Sequence, residues 1–139
     1  MYQKDYILRL IEQVAKAIAV MLGFISKKQY LEALEEAKKA YLNYLNIETD
    51  YLDSIPPDKM VESLQEEAGM GQNELEIIGK LLKLEGDALV GQGKSEVAEK
   101  KYKRGLSILE YVNNLKNTEF SIERFQYIQQ IQTQLKSIS

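Results

Sequence analysis

The sequence predicts an all-α protein, and three observations carry that expectation. Apolar residues recur at three- and four-residue spacing through most of the 139-residue chain, which is the pattern of amphipathic helices. Helix breakers are scarce: two prolines, adjacent at Pro56 and Pro57, and eight glycines. No stretch sustains the strict alternation of a half-buried strand. With 45% apolar and 28% charged residues, a chain of this length reads as one globular domain able to bury its own core.

Along the chain, Ile7, Leu10, Ile11, Val14, Ala17, Ile18, Met21 and Ile25 predict a first helix from Tyr2 to Phe24. From Val14 onward the other faces are apolar too, through Ala15, Ala19, Val20 and Leu22, so more than one side needs covering. After a polar turn at 26–29, a second helix runs from Tyr30 to Leu45, with Leu34, Ala37, Tyr41, Tyr44 and Leu45 on one face. The pattern breaks over 46–57. Pro57 is suited to open a short helix, about 58–68, which Gly69 and Gly71 end. Longer helices follow at about 74–90 and 96–115, joined by a turn at 91–95. Thr118 is the expected cap of a last helix, about 119–137. The expected count is five to six.

Two segments share more than helicity. In 30–41, small residues recur at Ala33, Ala37 and Ala40, with Tyr30 three before the first. In 86–106 the order is small, large, turn glycine, small, large, small: Gly86, Leu89, Gly93, Ala98, Tyr102, Gly105. This resembles the tetratricopeptide motif, a helix-turn-helix of 34 residues, in which small residues let antiparallel helices approach and large ones fill the space beside them. Aligning Ala33 with Ala98 sets one unit at 14–47 and another at 79–112, 65 residues apart, near two periods. The first has Lys28 at the turn-glycine position. The segment 48–78 is then an acidic, degenerate middle, and 118–137 a C-terminal capping helix. The resemblance implies one domain over 1–139, a short right-handed superhelical array of hairpins. The opening Gln3-x-Asp5-Tyr6-Ile7-x-Arg9-x-Ile11 also resembles the start of an uncharacterised family of small bacterial proteins with such helices.

The exclusions are as informative. Cysteine and histidine are both absent, so there is no disulfide, no thiolate nucleophile, no Ser-His or Cys-His pair and no histidine-ligated metal site. No catalytic residue, cofactor or metal is expected. The longest apolar stretch, 14–25, is too short for a bilayer span, and Asp5 and Glu12 spoil a signal peptide. The expected location is cytoplasmic, without membrane or nucleic-acid partners.

Charge is uneven. Residues 1–45 hold seven basic and five acidic side chains, 46–78 one and nine, and 79–139 ten and seven. The acidic middle is expected to lie against its basic neighbours; the alternative is an exposed docking face for a basic partner. The cluster Lys100, Lys101, Lys103 and Arg104 reads as a solvated helix face, since an isoelectric point near 5.2 does not suit nucleic acid. The segment Ala88-Leu89-Val90-Gly91-Gln92-Gly93-Lys94-Ser95 fits a relaxed phosphate-loop pattern. Such a loop must follow a buried strand, and a helix precedes this one, so nucleotide binding is a remote alternative.

The tetratricopeptide resemblance implies that the first helix of each hairpin lines a concave, partner-binding surface. In the second unit those positions are Lys80, Lys83, Leu84 and Asp87; in the first they are Ala15, Ile18, Ala19 and Leu22. The family's carboxylate clamps need basic side chains there, whereas the first unit is wholly apolar. The expectation is a non-catalytic scaffold binding a protein or peptide, or self-associating. Its apolar groove is to be covered by the last helix, the acidic middle or a second subunit.

Overall fold

The computed structural model describes residues 2–138, with side chains from Lys4 onward; Met1 and Ser139, the ends of the predicted domain, lie outside the described residues. The described chain is helical throughout. Its elements are α1 (Tyr2–Ser26), α2 (Tyr30–Leu45), α3 (Thr49–Ser54), α4 (Met60–Glu66), α5 (Gln72–Gly91), α6 (Ser95–Asn113) and α7 (Ile122–Ile138), with a 3-10 turn at Pro57–Lys59 before α4. Seven helices therefore replace the expected five to six. The addition is α3, whose six residues are too few to show a period. Among the described residues no helix is long and apolar enough to cross a membrane.

Two hairpins, α1–α2 and α5–α6, dominate the fold, and they turn in the same way. At the end of α5, Gly93 adopts the left-handed conformation (φ 77°). Its N–H donates to the Val90 carbonyl at 2.9 Å, and the Lys94 N–H donates to Leu89, also at 2.9 Å. That pair of bonds is a Schellman motif, which satisfies the last carbonyls of a helix. At the end of α1, Lys28 takes φ 61°, its N–H donates to Ile25 at 3.0 Å, and the Gln29 N–H donates to Phe24 at 2.8 Å. Every donor and acceptor lies 65 positions from its counterpart, the offset that aligned Ala33 with Ala98. Lys28 does with a side chain what Gly93 does without one, at a cost of about 1 kcal/mol.

The helices of the second hairpin meet closely. A β-carbon on Gly86 would run into the Tyr102 ring, and one on Gly105 would come within 3.1 Å of the Gly79 carbonyl oxygen. In the first hairpin the positions equivalent to Gly86 and Tyr102 hold Met21 and Ala37, both fully buried. The bulk has moved from the second helix of the pair to the first.

Helix α5 packs against α1 and α2 as well as α6, and α7 packs over α6 and α5. The second hairpin thus lies directly on the first. Of the segment 48–78, residues 72–78 form the first turns of α5, and the rest is displaced from between the hairpins: α4 and the 3-10 turn pack against α6 instead. This segment is held by Leu52, Ile55, Met60 and Leu64, buried in the core, and by a polar clamp from α6. Arg104 donates from Nε to the Ile55 carbonyl at 2.8 Å and from Nη2 to that of Asp53 at 2.9 Å. Lys101 Nζ reaches Asp53 at 2.8 Å and Glu85 at 3.3 Å, and Tyr41 Oη donates to Glu85 at 2.6 Å. This corrects the reading of 100–104 as a solvated face. Lys101 and Arg104 are buried, while Lys103 stays exposed and pairs with Glu99 at 3.1 Å along the helix.

The cap of the last helix is corrected as well. The Arg124 N–H donates to Ser121 Oγ at 3.1 Å, so Ser121 rather than Thr118 opens α7. Thr118 Oγ1 accepts instead from Gln72 Nε2 at 3.0 Å. At the start of α5, Glu74 reaches back to accept the Gly71 N–H at 2.9 Å, which extends that helix two residues beyond the predicted start.

Candidate partner-binding groove

Helix α1 is apolar on two sides. Leu10, Val14, Ala17 and Met21 form one stripe and are buried in the core. Leu8, Ile11, Ala15, Ile18 and Leu22 form a second, again spaced three and four apart. Of these, Leu8, Ile11 and Leu22 are 51%, 44% and 48% exposed, Ala15 is exposed and Ile18 half-buried. Nothing from α2 covers this side, because α2 packs behind the first stripe with Ala37, Ala40 and Tyr41.

The second stripe forms one wall of a groove of about 490 Å³ that runs beside α5 toward the start of α7. Ile11, Ala15, Ile18, Ala19 and Leu22 come from α1, Asn73, Glu76, Ile77 and Lys80 from α5, and Glu123 from α7. A second groove of about 640 Å³ adjoins it, between Ile25, the Lys83–Asp87 turn of α5 and the glutamine-rich face of α7 at Gln126, Gln129, Gln130 and Gln134.

Of the eight residues expected to bind a partner, the structure brings Ala15, Ile18, Ala19, Leu22 and Lys80 to the first groove. Lys83 and Asp87 lie in the second. Leu84 belongs to neither. It is fully buried in the core, because α5 is covered by α1 and α2 on the side where an end repeat would face solvent; its place among the partner-binding residues is corrected. Leu8, outside the expected eight, extends the α1 stripe by one turn, and its spacing from Ile11 and Ala15 was visible in the sequence.

The charged residues of the grooves are matched within the chain. Lys80 pairs with Glu76 at 3.2 Å and with Glu123. Arg124, only 3% exposed, binds Glu76 at 2.9 Å, Asn113 Oδ1 at 3.0 Å and the Glu119 carbonyl at 2.8 Å. Lys83 pairs with Asp87 at 2.6 Å, Asp87 accepts the Tyr102 hydroxyl at 2.6 Å, and Gln134 donates to that hydroxyl at 3.2 Å. The Tyr127 ring sits beneath both lysines, its centre 5.3 Å from Lys83 Nζ and 6.0 Å from Lys80 Nζ, within reach of a cation–π attraction. Burial, and then the nearby Glu123 and Asp87 charges, push the Tyr127 hydroxyl up to about 12. These links bind α7 to α5. They also leave the α5 wall with little net charge to offer a ligand.

A third cluster lies behind the grooves, where α2, α3, α5 and α6 meet around Glu85. Burial raises the Glu85 carboxyl above its usual range, with Lys101 pulling it back. For Lys101 burial favours the neutral form, but Glu85 and Asp53 outweigh it and hold the ammonium charged. Burial and the neighbouring Glu85 raise the Tyr41 hydroxyl well above its ordinary value. Sequence spacing could not reveal this cluster, since its members are 12 to 60 residues apart.

The loop-like segment 88–95 is the last turn of α5 and the Schellman turn before α6. The N–H groups of Gly93 and Lys94 are bound to the carbonyls of Val90 and Leu89, so they do not converge outward as a phosphate cradle requires. No family model, curated protein or solved structure matches the chain.

Proposed function

We propose that this protein is a non-catalytic interaction scaffold of tetratricopeptide-like hairpins, and that it docks a protein helix in the groove along α1. The observation that carries this reading is the row Leu8, Ile11, Ala15, Ile18, Ala19 and Leu22, exposed except for the half-buried Ile18. It is a continuous apolar surface on a well-packed helix, bordered by polar side chains. Contiguous patches of that kind mark interaction sites, whereas apolar residues scattered singly over a surface are ordinary. The hairpin resemblance supports the reading in a second way. The identical turns at Lys28 and Gly93 and the 65-residue offset suit a repeat architecture, whose first helices line a binding face. A helix in a groove is recognised through anchors at i, i+3, i+4 and i+7, which is the spacing this wall presents.

The absence of histidine and cysteine supports a non-catalytic role, and a cytoplasmic location goes with it. One observation favours a second reading, a regulatory subunit that docks through the acidic middle. Glu48, Asp50, Asp58, Glu62 and Glu66 are exposed on a segment that Lys101 and Arg104 hold in place.

The test is differential capture from the native lysate with the wild-type chain, Ala19→Glu, and Asp50→Lys with Asp58→Lys. Partners held by the groove are retained by the wild type and by the middle-segment variant and lost from Ala19→Glu. Retention by Ala19→Glu together with loss from the middle-segment variant transfers the role to 48–78.

A further inference from the structure

We infer that the occupant of the α1 stripe is α1 of a second copy of this chain, packed antiparallel across a two-fold axis at Ala15. This rests on the reading of the groove as a docking surface and names what fills it.

The first argument is the spacing. Leu8, Ile11, Ala15, Ile18 and Leu22 repeat three and four apart over two heptads, the seam of a coiled coil. This seam is additional to the one that α1 uses within its own chain. The residue sizes are also symmetric about the centre. Ala15 lies in the middle, with Ile11 and Leu8 on one side and Ile18 and Leu22 on the other. A two-fold axis there places Ala15 on Ala15 of the second copy, Leu8 against Leu22, and Ile11 against Ile18 and Ala19. Small residues at the centre let the helices approach, and large ones close the ends. An isologous interface requires that residue i meet j while j meets i, and this stripe satisfies it.

The second argument is charge. The exposed acidic residues Asp5 and Glu12 lie in the first half of α1, whereas the exposed Lys16 lies in its second half and Lys27 in the turn just after it. The same two-fold axis sets Glu12 beside Lys16 of the second copy and Asp5 beside Lys27, each pair occurring twice. On the α5 edge, Lys80 and Arg124 are already neutralised by Glu76 and Glu123. A strongly charged foreign helix gains nothing from that wall, whereas α1 itself is apolar along the seam and balanced along its rim.

The chain has no cysteine, which makes the test direct. Sedimentation equilibrium of the full chain over a concentration series is expected to show monomer and dimer in exchange. Ala15→Glu, at an exposed position, keeps the helical circular dichroism and weakens the dimer by roughly 100-fold, since two carboxylates meet on the axis. Glu12→Lys and Lys16→Glu each weaken it by roughly 3- to 10-fold, and the double reversal restores it. Ala15→Cys forms a disulfide-linked dimer on mild oxidation, while Glu96→Cys, at the start of α6, does not. A wild-type chain that stays monomeric throughout overturns the inference, as does a dimer indifferent to Ala15→Glu or a double reversal no better than its parents. A monomeric chain whose captured partners are still lost from Ala19→Glu overturns the dimer alone and leaves the groove reading in place.

Discussion

The two hairpins follow one plan and end in opposite surroundings. Both turn through a Schellman motif at the same offset, at Lys28 and at Gly93. In the second, α5 is enclosed by α1, α2, α6 and α7, and twelve of its residues are buried. In the first, α1 is covered on one side only. The composition of each helix fits its surroundings inversely. The enclosed α5 carries Lys80, Lys83, Glu85 and Asp87, all matched by partners, whereas the open α1 presents Ala15, Ile18, Val20 and Leu22 at the corresponding positions. A buried charge that loses its partner is costly; exposed apolar surface without partners offers free energy to whatever covers it. The contrast is the basis for the proposal that the first hairpin is the one that binds.

The largest effect that breaks this contrast is Lys101→Met. It removes the cation from Glu85 and lets go of Asp53, leaving a buried carboxylate uncompensated; a loss of about 3 kcal/mol is expected in urea unfolding. The equivalent position in the first hairpin is the half-buried Glu36, where Glu36→Met is expected to change stability by less than about 0.5 kcal/mol. Equal effects at the two positions would remove the asymmetry.

Next comes the exchange of small and large partners. Gly86→Ala is expected to destabilise by about 1–3 kcal/mol through its collision with the Tyr102 ring. Gly86→Met with Tyr102→Ala, which copies the Met21–Ala37 arrangement, is expected to cost less than the two changes summed, with a coupling of about 1–3 kcal/mol. Strict additivity would show that the two hairpins do not solve the same packing problem.

Alkaline titration follows, and its sign is fixed by the second hairpin and its contacts. Tyr41, Tyr102 and Tyr127 all have their hydroxyls raised by burial, Tyr127 to about 12, and Lys101 is raised by Glu85 and Asp53. A group whose folded value exceeds its unfolded one contributes fully below the unfolded value, near 10 for both residue types, and loses that contribution as pH climbs through the folded value. Stability is therefore expected to fall from about pH 10 toward 12, with these tyrosines ionising only as the helix signal is lost. Tyrosinate absorbance that completes before unfolding would contradict this.

The smallest effect is Lys28→Gly. It relieves a left-handed lysine at the first turn and is expected to stabilise by about 0.5–1 kcal/mol. The reverse change, Gly93→Lys, is expected to cost about the same.

Much of this contrast was legible from the residues. Three-four periodicity located both hairpins within a few residues, and the spacing of Ala33 and Ala98 set the offset that the turns obey. The open stripe on α1 was readable as excess apolarity on a helix already supplied with one buried face. What could not be read depends on distance in sequence. Lys101 and Arg104 look like a solvated cluster until the chain folds Asp53 and Ile55 over them. Glu85, in an apolar run, carries no local sign that Tyr41 will reach it. Leu84 is buried although the repeat pattern puts it on a binding face, because that pattern gives a position on a helix and not what the next element covers. Ser121 rather than Thr118 caps α7, while the Thr118 hydroxyl is taken by Gln72, 46 residues away in sequence.

The central claim is that the α1 face from Leu8 to Leu22 is open in the single chain and covered only by association. Methyl NMR with a soluble paramagnetic probe measures it residue by residue. At low concentration the methyls of Leu8, Ile11 and Leu22 should relax strongly while those of Leu81, Leu82 and Leu84 stay protected, and the first group should become shielded as concentration rises. Protection of Leu8, Ile11 and Leu22 at the lowest concentration, or unchanged exposure at the highest with no partner able to shield them, would contradict the account.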